Sequence, residues 1–229
     1  MPLRQQARNV SCYIMTKLSD ENKIEFYKFL NGDISVSDLE KFIYKQSDLE
    51  RQLDKGTYLE LISLDFKDKY VIATLPDFIK KNIIEEGEFK TWRLRNVLSN
   101  FLTDVKNLHI HLNELYHLYC GVYQDNGQRR YEFKFLGNLG LNYLYWVDEG
   151  YMKANYGDNW KQEYERSFED FEFYHEQLKP FAKEVLSALD TKQIVVLNNG
   201  TYTISDDLKS KLETDQIYKL KHPDEKNSS

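Results

Sequence analysis

The chain has 229 residues, of which 41% are hydrophobic and 14% aromatic, and its formal net charge is −6. This length can bury a real core as one large domain or two small ones. With only four prolines and ten glycines, the composition disfavours a multi-stranded β protein, which needs turn residues at every corner.

The sequence also predicts a compartment. No window approaches the roughly 18 apolar residues of a membrane span, and the N-terminal stretch lacks the apolar run of a secretory signal peptide. The chain has two cysteines, Cys12 and Cys120, which we expect to be reduced and buried rather than bridged. We therefore predict a cytoplasmic protein with no membrane association.

The first predicted elements are a loose arm and a capped helix. Residues 1–15 have no helical pattern, although a short strand fits residues 10–14. Ser19 is typical of a helix N-cap, and the predicted helix covers residues 20–30. Gly32 follows directly and is suited to end it.

Two short helical segments come next. Ser35 followed by Asp38 is close to a capping box, and apolar residues follow at helical spacing. Asp48 begins a second, shorter turn, which we expect Gly56 to stop.

Residues 58–82 allow more than one interpretation. The apolar side chains of residues 58–66 fit a helix better than a strand, so we favour the helix. Residues 70–75 are rich in β-formers, and Pro76 argues against an uninterrupted helix. A short strand pair in the N-terminal half therefore remains open.

A strong helical pattern covers residues 88–120, with apolar side chains at steps of three and four. Gly121 is a natural stop, and residues 124–130 read as a turn. We place a boundary there, which gives helical modules at residues 16–126 and 127–229, or one continuous domain.

The C-terminal module is predicted to contain two long helices, at residues 139–153 and 159–190. A β-hairpin at residues 194–204 follows, because Asn199 and Gly200 supply the backbone angles of a tight turn. Ser205 then caps a last helix that ends at Leu212. The predicted fold class is mainly α (α+β), a packed helical bundle with one C-terminal hairpin.

Metal-ligand residues are concentrated in the helix at 88–120, as His109, His111, His117 and Cys120. On a helix His109 and Cys120 are separated by about 16 Å, too far to share an ion bound at about 2.0–2.3 Å. His117 and Cys120 supply only half a site. We expect hydrogen-bonded or solvated histidines, with no metal and no cofactor.

One catalytic pattern is worth testing. Asp77, Glu88 and Lys90 have the letters of a metal-dependent PD-(D/E)xK nuclease, whose chemistry needs two carboxylates and a lysine converging on a divalent ion. The triplet at 88–90 should lie on a strand, but here it runs into a helical pattern. We retain the nuclease as the alternative to a non-catalytic protein.

The excess negative charge is confined to residues 145–190, where eleven acidic residues face five basic ones, while the rest of the chain is neutral. This distribution disfavours nucleic acid as a partner and favours a basic protein surface. The predicted partner-binding residues are Glu165, Glu169, Glu172, Glu176, Asp148, Glu149 and Asp170.

Four of these glutamates recur at helical spacing between residues 165 and 176. Their row is predicted to lie away from a buried stripe on the same helix. That stripe comprises Trp160, Tyr164, Phe168, Phe171, His175 and Leu178. The row is either a solvated outer face or a docking strip, in which complementary charge speeds association with a cationic partner.

The N-terminal block ISVSDLEKFIYKQSDLERQL, followed by YLELISLDFKDKY, resembles bacterial immunity proteins of polymorphic or contact-dependent toxin systems. The likeness covers residues 24–82. It implies a cytosolic inhibitor that covers the active surface of its toxin, and it carries over no individual functional residue.

The composition, the acidic helix and the resemblance together favour a non-catalytic immunity protein that neutralises a basic, nuclease-type toxin. Besides the nuclease, the second alternative to an immunity protein is a phage or regulatory adaptor that binds other proteins. The sequence does not indicate an oligomeric state.

Overall fold

The computed structural model of the chain describes residues 18–121 and 131–227. Within these ranges the protein is mainly helical, with a single two-stranded antiparallel sheet near the C-terminus, which confirms the predicted fold class. Its backbone contacts divide it into two compact units, residues 1–85 and 86–229. The predicted boundary after residue 126 falls inside the second unit, and the predicted arm lies outside the described residues.

The first unit is built from short helices joined by tight turns. Its helices are α1 Asp20–Asn31, α2 Val36–Lys45, α3 Leu49–Gln52, α4 Lys55–Ile62 and α5 Lys69–Asn82. Phe26, Leu39 and Ile79 are almost fully buried within this unit.

Local capping explains where α1 and α2 begin and where α1 ends. The Ser19 hydroxyl accepts a hydrogen bond from the Asn22 backbone N–H at 3.3 Å, and Gly32 ends α1 with φ of 84°. Ser35 and Asp38 form the reciprocal capping box that the sequence predicts. These side chains satisfy backbone donors that the first turn of a helix leaves free.

The third helix ends differently from the prediction. Gly56 does not stop it, because α3 already ends at Gln52 and Gly56 lies in the first turn of α4. Asp54 caps α4 by accepting from the Thr57 backbone N–H at 3.0 Å. The carboxylate, rather than the glycine, sets this boundary.

Both segments of residues 58–82 that the sequence left open between helix and strand are helical. Helix α4 ends at Ile62, and α5 covers the β-prone segment 70–75 and runs through Pro76. The carbonyl that Pro76 leaves without a donor belongs to Ile72, whose side chain is 38% exposed, so water can replace the missing N–H. The strand pair considered for this half is not present in residues 18–121, and a strand at 10–14 lies outside the described residues.

The second unit contains the longer helices and the sheet. Its elements are α6 Glu86–Thr103, α7 Leu108–Cys120, α8 Gly137–Gly140, α9 Glu149–Tyr156, α10 Trp160–Ser167, α11 Phe171–Asp190, β1 Ile194–Val196, β2 Tyr202–Ile204 and α12 Asp206–Leu212. Gly121 ends α7 as predicted, whereas the predicted turn at 124–130 is outside the described residues.

The core of this unit lies where α6, α7, α8 and α11 pack together. Phe101, Leu115 and Leu178 are completely buried there. The close approach of α8 to α7 depends on Gly140, because a Cβ at this position would lie 3.0 Å from the Leu115 carbonyl oxygen. A larger residue would force the two helices apart.

The hairpin has the predicted position. Strands β1 and β2 are antiparallel, with Ile194 opposite Ile204 and Val196 opposite Tyr202. Gly200 adopts a positive φ of 77°, as predicted, but Asn199 does not, so only one residue of the Asn–Gly pair supplies the angle expected of a tight turn. Ser205 precedes α12 as predicted, but its hydroxyl makes no capping bond.

The helix predicted at residues 139–153 is wrong as a single element. It is divided into α8, a 3₁₀ turn at Tyr145–Val147, and α9. Helix α9 starts where the Asp148 carboxylate accepts from the Gly150 and Tyr151 backbone N–H groups. The helix predicted at 159–190 is also interrupted, by a 3₁₀ turn at Phe168–Asp170 between α10 and α11.

Candidate functional site

The acidic face is defined here as Glu165, Glu169, Glu172 and Glu176. All four side chains are exposed to solvent, as expected for a face that points away from the core. They follow one another along α10, the 3₁₀ turn and α11.

Within the described part of the chain, Glu176 is the only one of these glutamates with a cationic partner. Lys179 Nζ lies 2.7 Å from Glu176 Oε1 and lowers the pKa of that carboxyl group through a hydrogen bond and its charge. Glu165, Glu169 and Glu172 form no ion pair with any other described residue. Three carboxylates of the face are therefore available to an external cation.

The 3₁₀ turn changes how the face is presented. A 3₁₀ helix advances about 120° per residue, against about 100° in an α-helix, so three residues rotate the face by about 60°. The face is thus twisted rather than a straight row on one uninterrupted rod.

The buried stripe predicted on the same segment is buried only in its second half. Phe171, His175 and Leu178 are at most 2% exposed. The earlier members, Trp160, Tyr164 and Phe168, remain half-buried. Trp160 and Tyr164 line a cavity, described below, whereas Phe168 does not.

The other predicted acidic residues occupy different places. Asp148 caps α9, and Glu149 follows it with its carboxylate 2.5 Å from Lys153 Nζ. Asp170 is half-buried at the start of α11 and makes no capping bond there. Asp148 and Glu149 line a cavity that none of the four glutamates of the acidic face lines.

This cavity, called the aromatic pocket here, has a volume of about 700 Å³. Residues of α7, α9, α10 and the segment before α9 enclose it. Its ring-bearing walls are His109, Tyr143, Tyr145, Tyr151, Trp160 and Tyr164. The size is typical of a ligand site, and the wall combines aromatic faces with the two carboxylates of Asp148 and Glu149.

A hydrogen bond between Tyr164 and His109 joins two walls of the pocket. The Tyr164 hydroxyl lies 2.8 Å from His109 Nε2, and the rings meet edge to face. Burial lowers the pKa of His109, the charge of His111 acts in the same direction, and Asp148 opposes them. His109 is therefore a neutral ring, and its Nδ1 is buried with no partner among the described residues.

The negative charges of Asp148 and Glu149 affect the pKa values of two side chains in the pocket wall. Burial and then the negative charge of Glu149 raise the pKa of Tyr164, so its hydroxyl stays protonated. Glu149 influences Tyr164, and Asp148 influences His109. The pocket therefore combines a negative electrostatic potential with aromatic walls.

Sequence reasoning missed the tyrosines of this pocket. Tyr143, Tyr145 and Tyr151 were not among the predicted site residues, although Tyr145 and Tyr151 are 55% and 39% exposed. The available signal was the density of Tyr and Trp between residues 143 and 164, interleaved with the first acids of the charged segment.

The histidine-rich helix does not assemble a metal site within the described residues. Instead, the carboxylates of Glu114 and Asp104 raise the pKa of the buried His111 against the effect of its burial. Asp104 Oδ2 lies 3.4 Å from His111 Nε2. His117 is exposed, and Cys120 is buried with a free thiol.

The nuclease-like residues are placed on helices. Asp77 is exposed on α5, and Glu88 and Lys90 belong to α6 rather than to a strand. Burial would lower the pKa of Lys90, but the carboxylates of Glu132 and Glu86, at 2.7 and 3.0 Å, raise it. The lysine is thus engaged in internal ion pairs.

Among residues 18–121 and 131–227, no helix combines the length and apolar character needed to cross a membrane. Comparisons of the chain with protein-family models, with curated proteins and with solved structures find no match.

Proposed function

We propose that the chain is a non-catalytic, cytoplasmic binding protein of the immunity type, which neutralises a basic, nuclease-type toxin by covering its active surface. The observation that carries this proposal is the acidic face, in which Glu165, Glu169 and Glu172 are exposed and have no cationic partner among the described residues. Like charges at helical spacing are unfavourable by themselves. A basic partner surface would remove that cost.

The charge distribution supports the same function. All of the net charge of −6 arises from residues 145–190, which include the acidic face and part of the wall of the aromatic pocket. A concentrated field of one sign attracts an oppositely charged partner and rejects others. A nuclease that binds phosphates through a basic cleft has the complementary surface.

The test begins with the reading frames next to the gene of this chain. A secreted protein with a basic C-terminal toxin domain is sought there, and association of that domain with the chain is then measured. Reversal of charge in a Glu169→Lys/Glu172→Lys double variant should slow association about tenfold at low ionic strength, because steering by opposite charges is lost. At high salt the variant and the wild type should converge. Stopped-flow fluorescence measures both rates.

The matched control is Glu50→Lys/Glu60→Lys, which makes the same change in net charge on exposed residues of the first unit. This variant should associate at nearly the wild-type rate. If both double variants slow association equally, net charge rather than the acidic face is responsible, and the proposed interface is wrong.

The competing nuclease hypothesis has a direct test. Purified protein incubated with plasmid and Mg²⁺ or Mn²⁺ should leave the DNA intact. If the plasmid is cleaved, and if this cleavage is lost in Asp77→Asn or Lys90→Gln, the function is catalysis rather than inhibition. The adaptor hypothesis differs only in partner, so protection of growing cells from the neighbouring toxin distinguishes it from immunity.

A further inference from the structure

We propose that the aromatic pocket binds an arginine side chain of the protein partner and so anchors the complex that the acidic face attracts. This inference rests on the proposed function, and it adds a specific site and the chemistry of its ligand. Its parts are aromatic walls, two carboxylates at one side, and a lysine of the chain that already shows how a cation is held there.

The walls offer exposed ring faces rather than a closed apolar core. Tyr143 and Tyr145 contact each other at 5.8 Å between ring centroids, and Tyr145 contacts Tyr151 at 5.9 Å. Trp160 and Tyr164, which also line the pocket, lie 6.3 Å apart between ring centroids. A cation over such faces is attracted by the negative charge density of the rings.

The carboxylate of Asp148 is held in a fixed position by its capping role. Its Oδ1 accepts from the Gly150 and Tyr151 backbone N–H groups at 2.8 and 3.2 Å. Its Oδ2 makes no hydrogen bond with other described residues. A carboxylate fixed in this way loses little conformational entropy when it binds a guanidinium.

Lys153 of the chain itself already contacts one carboxylate and one aromatic ring of the pocket. Its Nζ lies 2.5 Å from a Glu149 oxygen and 5.0 Å from the centroid of the Trp160 ring. Glu149 and Trp160 both line the pocket. The structure thus shows one carboxylate and one ring acting together on an ammonium group, for which an incoming cation competes.

Arginine fits these features better than the alternatives. Its planar guanidinium stacks on aromatic rings and binds a carboxylate through two parallel hydrogen bonds, whereas lysine presents a compact and strongly hydrated charge. A neutral ligand would cover Asp148 and Glu149 without compensating their charge. An anion would be repelled by both.

The experiment uses the full chain labelled with 5-fluorotryptophan, and Trp→Phe variants assign the three resonances. The probe is the capped peptide acetyl-Gly-Arg-Gly-amide, and its control is the same peptide with citrulline, which keeps the shape and lacks the charge. We expect the arginine peptide to shift the Trp160 resonance most, with saturation, and the citrulline peptide to bind at least about tenfold more weakly.

Matched variants locate the site. Asp148→Asn/Glu149→Gln should weaken the arginine peptide about tenfold, and asparagine retains the helix cap. Lys153→Met should strengthen binding about threefold, because it frees Glu149, while Lys161 Nζ remains 5.8 Å from the centroid of the Trp160 ring. Glu50→Gln/Glu60→Gln removes the same charge from exposed residues of the first unit and should change binding by less than about twofold.

The proposal is overturned by equal binding of the two peptides, by an unshifted Trp160 resonance, or by unchanged binding in Asp148→Asn/Glu149→Gln. If these results occur while charge reversal at Glu169 and Glu172 still slows toxin association, the pocket inference fails and the proposed function stands. If the peptide binds as expected but charge reversal has no effect on the toxin, the pocket is a cation site and the proposed function fails.

Discussion

The two helices α10 and α11 adjoin in sequence but have opposite relations to the core. Helix α11 buries eight of its residues, among them Phe171 and Leu178, whereas α10 has no buried residue. Helix α11 therefore holds the second unit together. Helix α10 exposes half-buried rings to the aromatic pocket and contributes Glu165 to the acidic face.

Within one acidic segment, α11 therefore contributes mainly to stability, and α10 contributes mainly to the proposed binding site. The 3₁₀ turn at Phe168–Asp170 marks the change, since the rings of Trp160 and Tyr164 before it are half-buried and Phe171 and Leu178 after it are in the core. A helix that packed equally along its whole length would have filled the pocket with its own side chains. The pocket exists because α10 is incompletely covered.

Truncation of a core side chain should have the largest effect on stability. It tests directly the difference in burial between α10 and α11. Leu178→Ala should lower the free energy of unfolding by about 2–5 kcal/mol, because it leaves a cavity in a fully packed site. Trp160→Ala should cost about 1 kcal/mol or less, since the ring is only half-buried. Urea denaturation measures both, and equal losses would show that α10 contributes to the core as much as α11 does.

The buried His175 provides the second test, through pH. Burial lowers its pKa from the ordinary value near 6.5, so the unfolded chain binds this proton more readily than the native one. Stability should therefore fall as the pH drops below about 6.5, by at most about 1.4 kcal/mol per pH unit for one proton. His175→Phe should flatten the dependence in urea unfolding at several pH values.

His111 is the control of opposite sign. Because Glu114 and Asp104 raise its pKa, its contribution to stability is fully present below about pH 6.5 and is lost as the pH rises through its folded pKa. His111→Gln should therefore abolish the loss of stability above about pH 6.5 and leave the acid-side loss unchanged. If His175→Phe steepens it instead, the assignment of a lowered pKa to His175 is wrong.

The hydrogen bond in the pocket wall should have a smaller effect. Tyr164→Phe removes the hydroxyl that contacts His109 Nε2 and should cost about 0.5–1.5 kcal/mol. A double-mutant cycle with His109→Phe separates this bond from general packing. Additive effects of the two substitutions would show that the contact contributes nothing to the stability of α10.

The smallest effect is expected on the acidic face. Glu169→Gln/Glu172→Gln removes like-charge neighbours and should raise Tm by about one degree at low salt. Glu176→Gln is the matched comparison and should lower Tm, because Glu176 alone of the face is paired, with Lys179. Differential scanning calorimetry resolves the two signs, and a fall in both would mean that the face is internally compensated.

Much of the fold was predictable because its signals are local. Ser19, the Ser35–Asp38 box and Gly121 act on backbone groups within four residues, and all three mark helix boundaries as predicted. The Asn199–Gly200 hairpin is predictable for the same reason. The β-prone segment 70–75 was not, because the burial of Leu75 and Ile79 on one helix face overrides its local propensity.

The site was predictable only in part. The sequence identifies the carboxylates and their helical spacing, and the structure confirms that the four glutamates of the acidic face are exposed. It could not show that only Glu176 finds a lysine, since that depends on side-chain geometry. Nor could it separate Asp148 and Glu149 from the acidic face.

The amino-acid order alone determined where α1 and α2 begin, where the hairpin turns, and where the negative charge is concentrated. These properties depend on neighbours a few positions apart. Only the tertiary structure decided that the helix predicted at 139–153 divides, that α10 stays half-buried, and that His109 meets Tyr164 across a cavity. Those outcomes depend on the packing of segments distant in sequence, where the burial of side chains outweighs local preference.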